Sequence, residues 1–300
     1  MKHTPFTRPT SARPQPPYSS TTPVKTSIQS AYRTNDLYFL KLGGSLITDK
    51  TRPRAPRMEI MQRLAEEIAI ARQENPKLTL VLGHGAGSFA HIPAKKYATR
   101  PGVHTLEQWL GFAEVWREAA ALNRLVMDAL HAAGLPAIAL PPSASVVTHN
   151  RAISHWDLTP LNAALEAKLL PVIFGDVIFD LVQGGTILST EDLFEHLAYH
   201  LHPQRILLAG SEAGVWADYP QCTQLISEIT QDNYAQIAPS LSGSNATDVT
   251  GGMAAKVAQS LALVREIPEL EVLIFSGLAA GNLTAALRGD KVGTFIRKSK

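Results

Sequence analysis

The sequence predicts an α/β fold with a mainly parallel central sheet. Short apolar runs rich in β-branched and aromatic residues recur along the chain, and stretches with helical periodicity separate them. Most of these runs end at glycine, as strands do where the chain turns into a helix. Alternating strands and helices are typical of a parallel sheet covered by helices. No long linker follows residue 36, so we expect two lobes that share one sheet.

Five segments are predicted as strands. They are LYFLKL (37–42), LTLVLG (78–83), PVIFGDVIFD (171–180), RILLAG (205–210) and EVLIFSG (271–277). Four of them end in or run into glycine, at Gly43-Gly44, Gly83, Gly210 and Gly277. Ligands of such folds bind beyond the carboxyl ends of the strands, where glycine lets backbone N–H groups approach an anion. Several such turns together indicate a site for more than one phosphate.

Helical periodicity extends over about 58–74, 105–133, 159–168, 190–201 and 250–265. The first 35 residues differ from the rest, with six prolines, twelve Ser or Thr, five Lys or Arg and no acidic residue. We interpret residues 1–35 as a disordered tail, because so few apolar residues cannot offset the entropy of ordering. A transit peptide has a similar composition, but the prolines disfavour its amphipathic helix.

The bulk composition excludes several classes of function. The net charge is only +2, which gives no general attraction to nucleic acid or to an anionic membrane. No apolar run approaches the roughly 20 residues that span a bilayer. The single cysteine, Cys222, excludes an internal disulfide and a Cys-rich metal site, and fits a cytoplasmic protein.

The stretch LTLVLGHGAGSFAH (78–91) combines a strand with a glycine turn and two histidines. Its Gly-x-Gly-x-x-Ala spacing resembles a dinucleotide-binding turn, but that site needs an acidic residue at the end of a second strand. Glu107 has a tolerable spacing and lies instead at the start of a helical pattern. A Walker loop and a protein-kinase loop are also absent from the sequence. The turn is therefore predicted to bind another kind of phosphate.

The segment KLGGSLITDK (41–50) carries the parts that phosphoryl transfer needs. The turn at Gly43 and Gly44 offers backbone amides, and Ser45 offers a hydroxyl. The ammonium groups of Lys41 and Lys50 can neutralise charge on a transferring phosphoryl group. A surface loop with two solvated lysines is the alternative for this segment taken alone.

Taken together, five segments resemble isopentenyl phosphate kinase, a member of the amino acid kinase superfamily. They are KLGGSLITDK, GHGAGSFAH with AKKY after it, GDVIFD, DVTGGMAAK and GLAAGNLTAALRGDKVGT, in this order. The resemblance covers residues 37 to 296. Its more specific signals are S-F-x-H ending at His91, T-D-K ending at Lys50, and D-V-T-G-G-M. It implies a three-layer αβα sandwich, an acceptor lobe at about 36–172, a nucleotide lobe at about 173–300, and a homodimer.

The resemblance also implies a reaction and the residues that carry it. The γ-phosphate of ATP would pass to isopentenyl phosphate, with Mg²⁺ bound through the phosphates and no protein metal ligand assigned. His91 would hold the acceptor phosphate, supported by the backbone of Gly85, Ala86 and Gly87. Lys41 and Lys50 would bind phosphates, with Gly43, Gly44 and Ser45 near the bridging region. Asp176 would orient the lysines by ion pairing, and His84 is interpreted as structural.

The C-terminal half would hold the nucleotide. Residues of GSEAGVWADYP (210–220) and DVTGGMAAK (248–256) would contact ATP: Gly210, Gly214, Val215, Trp216, Asp218, Gly251, Gly252 and Lys256. A helix start at Gly251 and Gly252 favours phosphate, and Lys256 lies one turn further on. The chain departs from the superfamily pattern at Ser211, at Ala217 and in TED (190–192).

Two aromatic residues near the start of the long helix, Phe112 and Trp116, are candidates for lining an isoprenoid pocket. Core packing is the alternative for both of them. Two other functions stay open. One is a kinase for another small phosphate or phosphonate such as fosfomycin, and the other is a catalytically silent nucleotide-binding relative. A silent relative would be expected to lose Lys41, Lys50, His91 or Lys256, and all four are present.

Overall fold

The computed structural model describes residues 37–241 and 252–299. The predicted tail and Gly251 lie outside the described residues. The strands are β1 (Leu37–Leu42), β2 (Thr79–His84), β3 (Ala137–Ala139), β4 (Val146–His149), β5 (Ala152–Trp156), β6 (Leu170–Phe174), β7 (Asp176–Asp180), β8 (Gly184–Leu188), β9 (Arg205–Gly210), β10 (Val215–Trp216), β11 (Leu225–Ile226), β12 (Glu228–Ile229), β13 (Glu271–Ser276) and β14 (Thr294–Ile296). The helices are α1 (Gly44–Ile47), α2 (Met58–Glu74), α3 (Gly87–Lys96), α4 (Leu106–Ala132), α5 (Thr159–Glu166), α6 (Thr190–Leu201), α7 (Gln231–Leu241), α8 (Gly252–Glu266) and α9 (Asn282–Arg288).

The central sheet has the strand order β12-β14-β13-β9-β1-β2-β6-β3. Its strands pair in parallel except for β13 and β14, which are antiparallel. The predicted α/β fold with a mainly parallel sheet is therefore confirmed. Because β1 lies between β9 and β2, strands from both halves of the chain end side by side in the middle of this sheet.

Successive residues of the central strands pack on opposite faces of the sheet, as the twofold period of a strand requires. Leu40 and Leu42 of β1 belong to a core that also contains buried residues of α2, α4 and α9. Phe39, the residue before Leu40, points to the other face and packs on Phe194 of α6 with ring centroids 5.1 Å apart. Helices thus cover both faces, which gives the three layers.

The apolar run 171–180 was predicted as one strand, and this prediction is wrong. The run divides at Gly175 into β6, in the central sheet, and β7, in a four-stranded sheet with the order β5-β4-β7-β8. The Gly175 amide donates a hydrogen bond to the His84 carbonyl at 3.2 Å. Apolar periodicity shows that both halves are buried, but it carries no information about the sheet that each half joins.

The five predicted helices all form, with ends that differ from the predicted ends by no more than two residues. The short helices α1, α3, α7 and α9 were not predicted. Helix α3 begins inside the glycine turn, at Gly87, and continues through Pro93. In the described part of the chain, no helix is long and apolar enough to cross a membrane.

Candidate active site

The glycine turns after β1 and β2 touch each other. A Cβ atom added to Gly44 would lie 2.6 Å from the amide nitrogen of Gly87, and one added to Gly85 would lie 2.8 Å from the amide nitrogen of Gly44. The Gly43 amide donates to the carbonyl of Ala209, on β9, at 2.8 Å. Only residues without a side chain allow these turns to come so close, which explains the glycines at the strand ends.

These turns border a cleft of about 380 Å³ at the carboxyl ends of the strands. A cleft of this volume falls within the range of small-molecule sites. Fourteen of the predicted site residues line it: Lys41, Gly43, Gly44, Ser45, Lys50, Gly85, Ala86, His91, Asp176, Gly210, Gly214, Trp216, Gly252 and Lys256. The set includes four basic residues, Lys41, Lys50, His91 and Lys256, which we call the basic quartet.

Lys41 is paired with a carboxylate that the sequence analysis did not select. Its ammonium group contacts Glu191, in the first turn of α6, and both side chains are largely buried. Burial alone would raise the pKa of Glu191, but the charges of Lys41 and Lys256 outweigh it and hold that pKa below its ordinary value. Glu191 thus interacts with two members of the basic quartet and neutralises part of their charge.

The expected ion pair between Asp176 and the lysines is not found among the described residues. The carboxylate of Asp176 instead accepts hydrogen bonds from the amides of Ser143, at 3.1 Å, and Val177, at 2.9 Å. Burial raises the pKa of Asp176 to about 6 despite these bonds. The sequence motif therefore identified a carboxylate that lines the cleft, and the neighbouring helix α6 supplies the carboxylate that pairs with Lys41.

One part of the cleft wall is apolar. Small and branched side chains line it, from α3, α4 and β8: Ala90, Ala94, Val115 and Ile187. Phe112 packs behind Ala90 and Val115 in a buried cluster and does not itself line the cleft. Trp116 is 47% exposed and also lies outside the lining, so the structure does not bring it to the cleft. Helix α4 turns by about 100° per residue, which brings Val115 rather than Trp116 onto the inner face.

The residues predicted to contact the nucleotide fall into two groups. The first group lines the cleft and includes, from the C-terminal half, Gly210, Gly214, Trp216, Gly252 and Lys256. The indole nitrogen of Trp216 donates at 3.2 Å to Glu212, a lining residue that was not predicted. The other described residues of this prediction, Val215 and Asp218, are not in the lining. The Val215 amide donates to Thr294 in the interior, and Asp218 accepts hydrogen bonds from Thr223 and Gln224. Gly87, predicted to support the acceptor phosphate, is also outside the lining and packs under Gly44.

Several polar residues that line the cleft were missed, among them Arg100, Ser189, Glu191 and Tyr219. A local signal existed for two of them. Ser189 and Asp192 form a capping box at the start of α6, which places Glu191 in the first helical turn. Arg100 lies 3.8 Å from Asp192, and no sequence pattern indicates that contact.

The sequence profile of the amino acid kinase family matches residues 36–276. A protein named isopentenyl phosphate kinase from Methanocaldococcus jannaschii is 34% identical over 266 residues, which cover 87% of this chain and 98% of that protein. The chain belongs to the amino acid kinase family, among the isopentenyl phosphate kinases. The isopentenyl phosphate kinase of Arabidopsis thaliana is 30% identical over 250 residues, 73% of each chain.

The fold agrees with this membership. A crystal structure of an isopentenyl phosphate kinase superposes with a TM-score of 0.70 at 30% identity, covering 87% of this chain and 99% of that one. The resemblance that the sequence motifs suggested is thereby confirmed. As a member of this family, the chain is a phosphotransferase with a three-layer αβα fold.

Proposed function

We propose that this protein transfers the γ-phosphate of ATP to isopentenyl phosphate, which yields isopentenyl diphosphate and ADP. The observation that carries the proposal is the convergence of the basic quartet on one cleft with a partly apolar wall. Three ammonium groups and an imidazole suit two phosphorylated substrates, and the apolar wall suits a short hydrocarbon chain. Two wholly polar substrates would make no favourable contact with that apolar wall.

The residues of the cleft divide between the two substrates. His91, on α3, and the Gly85–Ala86 backbone bind the acceptor phosphate, and Ala90, Ala94 and Val115 contact its hydrocarbon chain. An anionic oxygen of that phosphate attacks in line, so no general base is required. Lys41 and Lys256 bind the phosphates of ATP and stabilise the charge that develops during transfer. Lys50 spans the two phosphate groups.

ATP requires a divalent cation, and we propose Mg²⁺. The described residues contain no cluster of three or more His, Cys, Asp or Glu that could hold a metal ion. Mg²⁺ would be bound chiefly through substrate phosphates and water, and it would neutralise phosphate charge there. Asp176 is the carboxylate of the cleft wall that could contact such an ion through water.

The function is tested with purified protein, Mg-ATP and a panel of acceptors: isopentenyl phosphate, dimethylallyl phosphate, fosfomycin and UMP. Release of ADP is measured for each acceptor. We expect the highest kcat/KM with isopentenyl phosphate. A preference for fosfomycin or UMP would reject the proposal, and ATP binding without turnover on any acceptor would indicate a silent relative.

We further propose a homodimer in the cytoplasm, on the resemblance to the family and on the single cysteine. Light scattering of the purified protein should give about twice the monomer mass of 32.5 kDa. A monomer mass at micromolar concentration would reject the dimer and leave the catalytic proposal unaffected.

A further inference from the structure

His84 is a fully buried histidine one residue before the turn that borders the cleft. It does not line the cleft, so it cannot touch a substrate there. Its Nδ1 atom lies 3.2 Å from the carbonyl oxygen of Gly85, and its Nε2 atom lies 3.1 Å from Oδ1 of Asn123, on α4. The ring stacks on Phe174 with centroids 5.3 Å apart and an interplanar angle of 13°. Both nitrogens of a buried ring are therefore engaged.

The partners of the ring determine where its proton lies. A backbone carbonyl can only accept, so Nδ1 must carry a proton to bond with Gly85. Burial lowers the pKa of His84, which favours the neutral ring. In a neutral ring protonated at Nδ1, the Nε2 atom is a hydrogen-bond acceptor. The NH₂ group of Asn123 donates to it once the side-chain amide is rotated by about 180°, which exchanges the positions of its oxygen and nitrogen.

The hydrogen bond to the Gly85 carbonyl also orients the next amide. The peptide unit between Gly85 and Ala86 is planar and trans, so its N–H points away from its carbonyl. With the carbonyl directed at the buried ring of His84, the Ala86 N–H points in the opposite direction within the same peptide plane, away from the ring. Ala86 lines the cleft, and within the described residues its amide donates to no other backbone carbonyl.

The backbone around the ring is fixed independently. The His84 carbonyl accepts hydrogen bonds from the Thr190 hydroxyl at 2.7 Å and from the Gly175 amide at 3.2 Å, while the Gly85 amide donates to Leu42 at 3.0 Å. These bonds hold the end of β2, but none of them holds the Gly85 carbonyl. Within the described residues, the His84 ring supplies that constraint.

We propose that His84, held by Asn123 as the neutral Nδ1–H tautomer, is a positioning residue that keeps the Ala86 amide directed at the acceptor phosphate. The role rests on the proposed function, since it concerns the same phosphate. Asn123 lies about two helical turns after Val115, which lines the apolar wall. The pair therefore ties the phosphate-binding turn to the helix that contacts the hydrocarbon chain.

Two variants separate the two ring nitrogens. The amide nitrogen of Asn reaches the position of Nδ1, whereas that of Gln reaches the position of Nε2. We expect His84→Gln to raise KM for isopentenyl phosphate about tenfold, because the Gly85 carbonyl loses its donor. In His84→Gln, the KM for ATP should stay within about twofold of the wild-type value. His84→Asn keeps a donor at the position of Nδ1, so its KM for isopentenyl phosphate should lie within about threefold of the wild-type value. Equal losses in both variants, or equal effects on both substrates, would overturn the proposal.

A second measurement uses the wild-type protein and needs no turnover. Nitrogen-15 NMR of the histidine rings should show His84 protonated at Nδ1 and unprotonated at Nε2 across neutral pH. Inorganic phosphate should shift the Ala86 amide resonance in the wild type, and the shift should be lost in His84→Gln. An Nε2–H tautomer, a charged ring or an unchanged phosphate response would overturn the role of His84. If the wild type fails to phosphorylate isopentenyl phosphate, the proposed function fails, and the phosphate titration still decides the role of His84.

Discussion

At the scale of single residues, two carboxylates of the cleft, Glu191 and Asp176, have different partners. Lys41 and Lys256 face Glu191, whereas Asp176 is held by backbone amides. The two carboxylates therefore differ in their surroundings: one is stabilised as an anion by lysines, and the other is buried with a pKa raised to about 6. Identical side-chain chemistry thus gives two different groups, because the neighbours determine the pKa.

His91 is expected to contribute directly to turnover. We predict that His91→Ala lowers kcat with isopentenyl phosphate by at least about tenfold, because one strong donor at a transferring phosphate is worth a few kcal/mol. Steady-state kinetics measure the effect. Ile92→Ala is the matched control, since Ile92 is the next residue of α3, is 52% exposed and does not line the cleft. Unchanged kinetics in His91→Ala would remove this residue from the site.

The raised pKa of Asp176 predicts a pH dependence of stability. A carboxyl whose pKa rises from 3.8 to about 6 on folding binds more protons in the folded state between these values. Its contribution to stability is therefore lost as the pH rises through that window, by about 3 kcal/mol in total. Asp176→Asn removes the titration. Its free energy of unfolding should rise relative to the wild type between pH 4 and pH 6, as measured by urea unfolding, and a constant difference would contradict the raised pKa.

At the scale of elements, two helix starts share one capping motif but differ in their distance from the cleft. Ser189 caps α6 in a box with Asp192, and Thr105 caps α4 in a box with Gln108. Glu191 is the second residue of α6, so the cap at Ser189 also holds the carboxylate that contacts Lys41. No residue of the first turn of α4, which Thr105 caps, lines the cleft.

Alanine substitutions at the two caps should therefore differ in function but not in stability. Ser189→Ala and Thr105→Ala should each lower the free energy of unfolding by about 1 kcal/mol. Only Ser189→Ala should lower kcat/KM for ATP, by at least about threefold, because it loosens the first turn of α6. Denaturant unfolding and steady-state kinetics on the same samples provide the comparison. A similar loss of activity in Thr105→Ala would show that losing either helix cap lowers activity, and that the first turn of α6 has no special role.

At the scale of the whole molecule, the cleft exists because the sheet brings distant strands together. Lys41 lies on β1, Glu191 lies on α6, 150 residues further along the chain, and Lys256 lies on α8. Ligands that contact several of these elements must bind the folded chain and not the unfolded one. Binding should consequently stabilise the whole fold.

We predict that Mg-ATP at about 100 times its Kd raises the free energy of unfolding by about 2.7 kcal/mol and Tm by about 5 °C. Lys256→Met should reduce this shift in a thermal unfolding experiment. Lys95→Met is the control, since Lys95 is exposed on α3 and does not line the cleft. An equal shift in both variants would remove Lys256 from the nucleotide site.

Much of the fold was predictable because its signals are local. The five long helices and most of the central strands carry their own periodicity, and the glycine turns carry their own spacing. The predictions that depend on contacts between elements were less successful. No local pattern indicates that 171–180 divides between two sheets, or that Val115 rather than Trp116 faces the cleft.

By itself, the sequence determined the alternation of strands and helices, the glycines at the strand ends and the basic residues beside them. These features depend on neighbours within a few positions, and local sterics and hydrogen bonding decide them. Only the tertiary structure decided that Glu191, and not Asp176, pairs with Lys41, and that the His84 ring holds the turn at Gly85. Such contacts join residues on different elements, and the order of strands in the sheet, not the order along the chain, decides which of them meet.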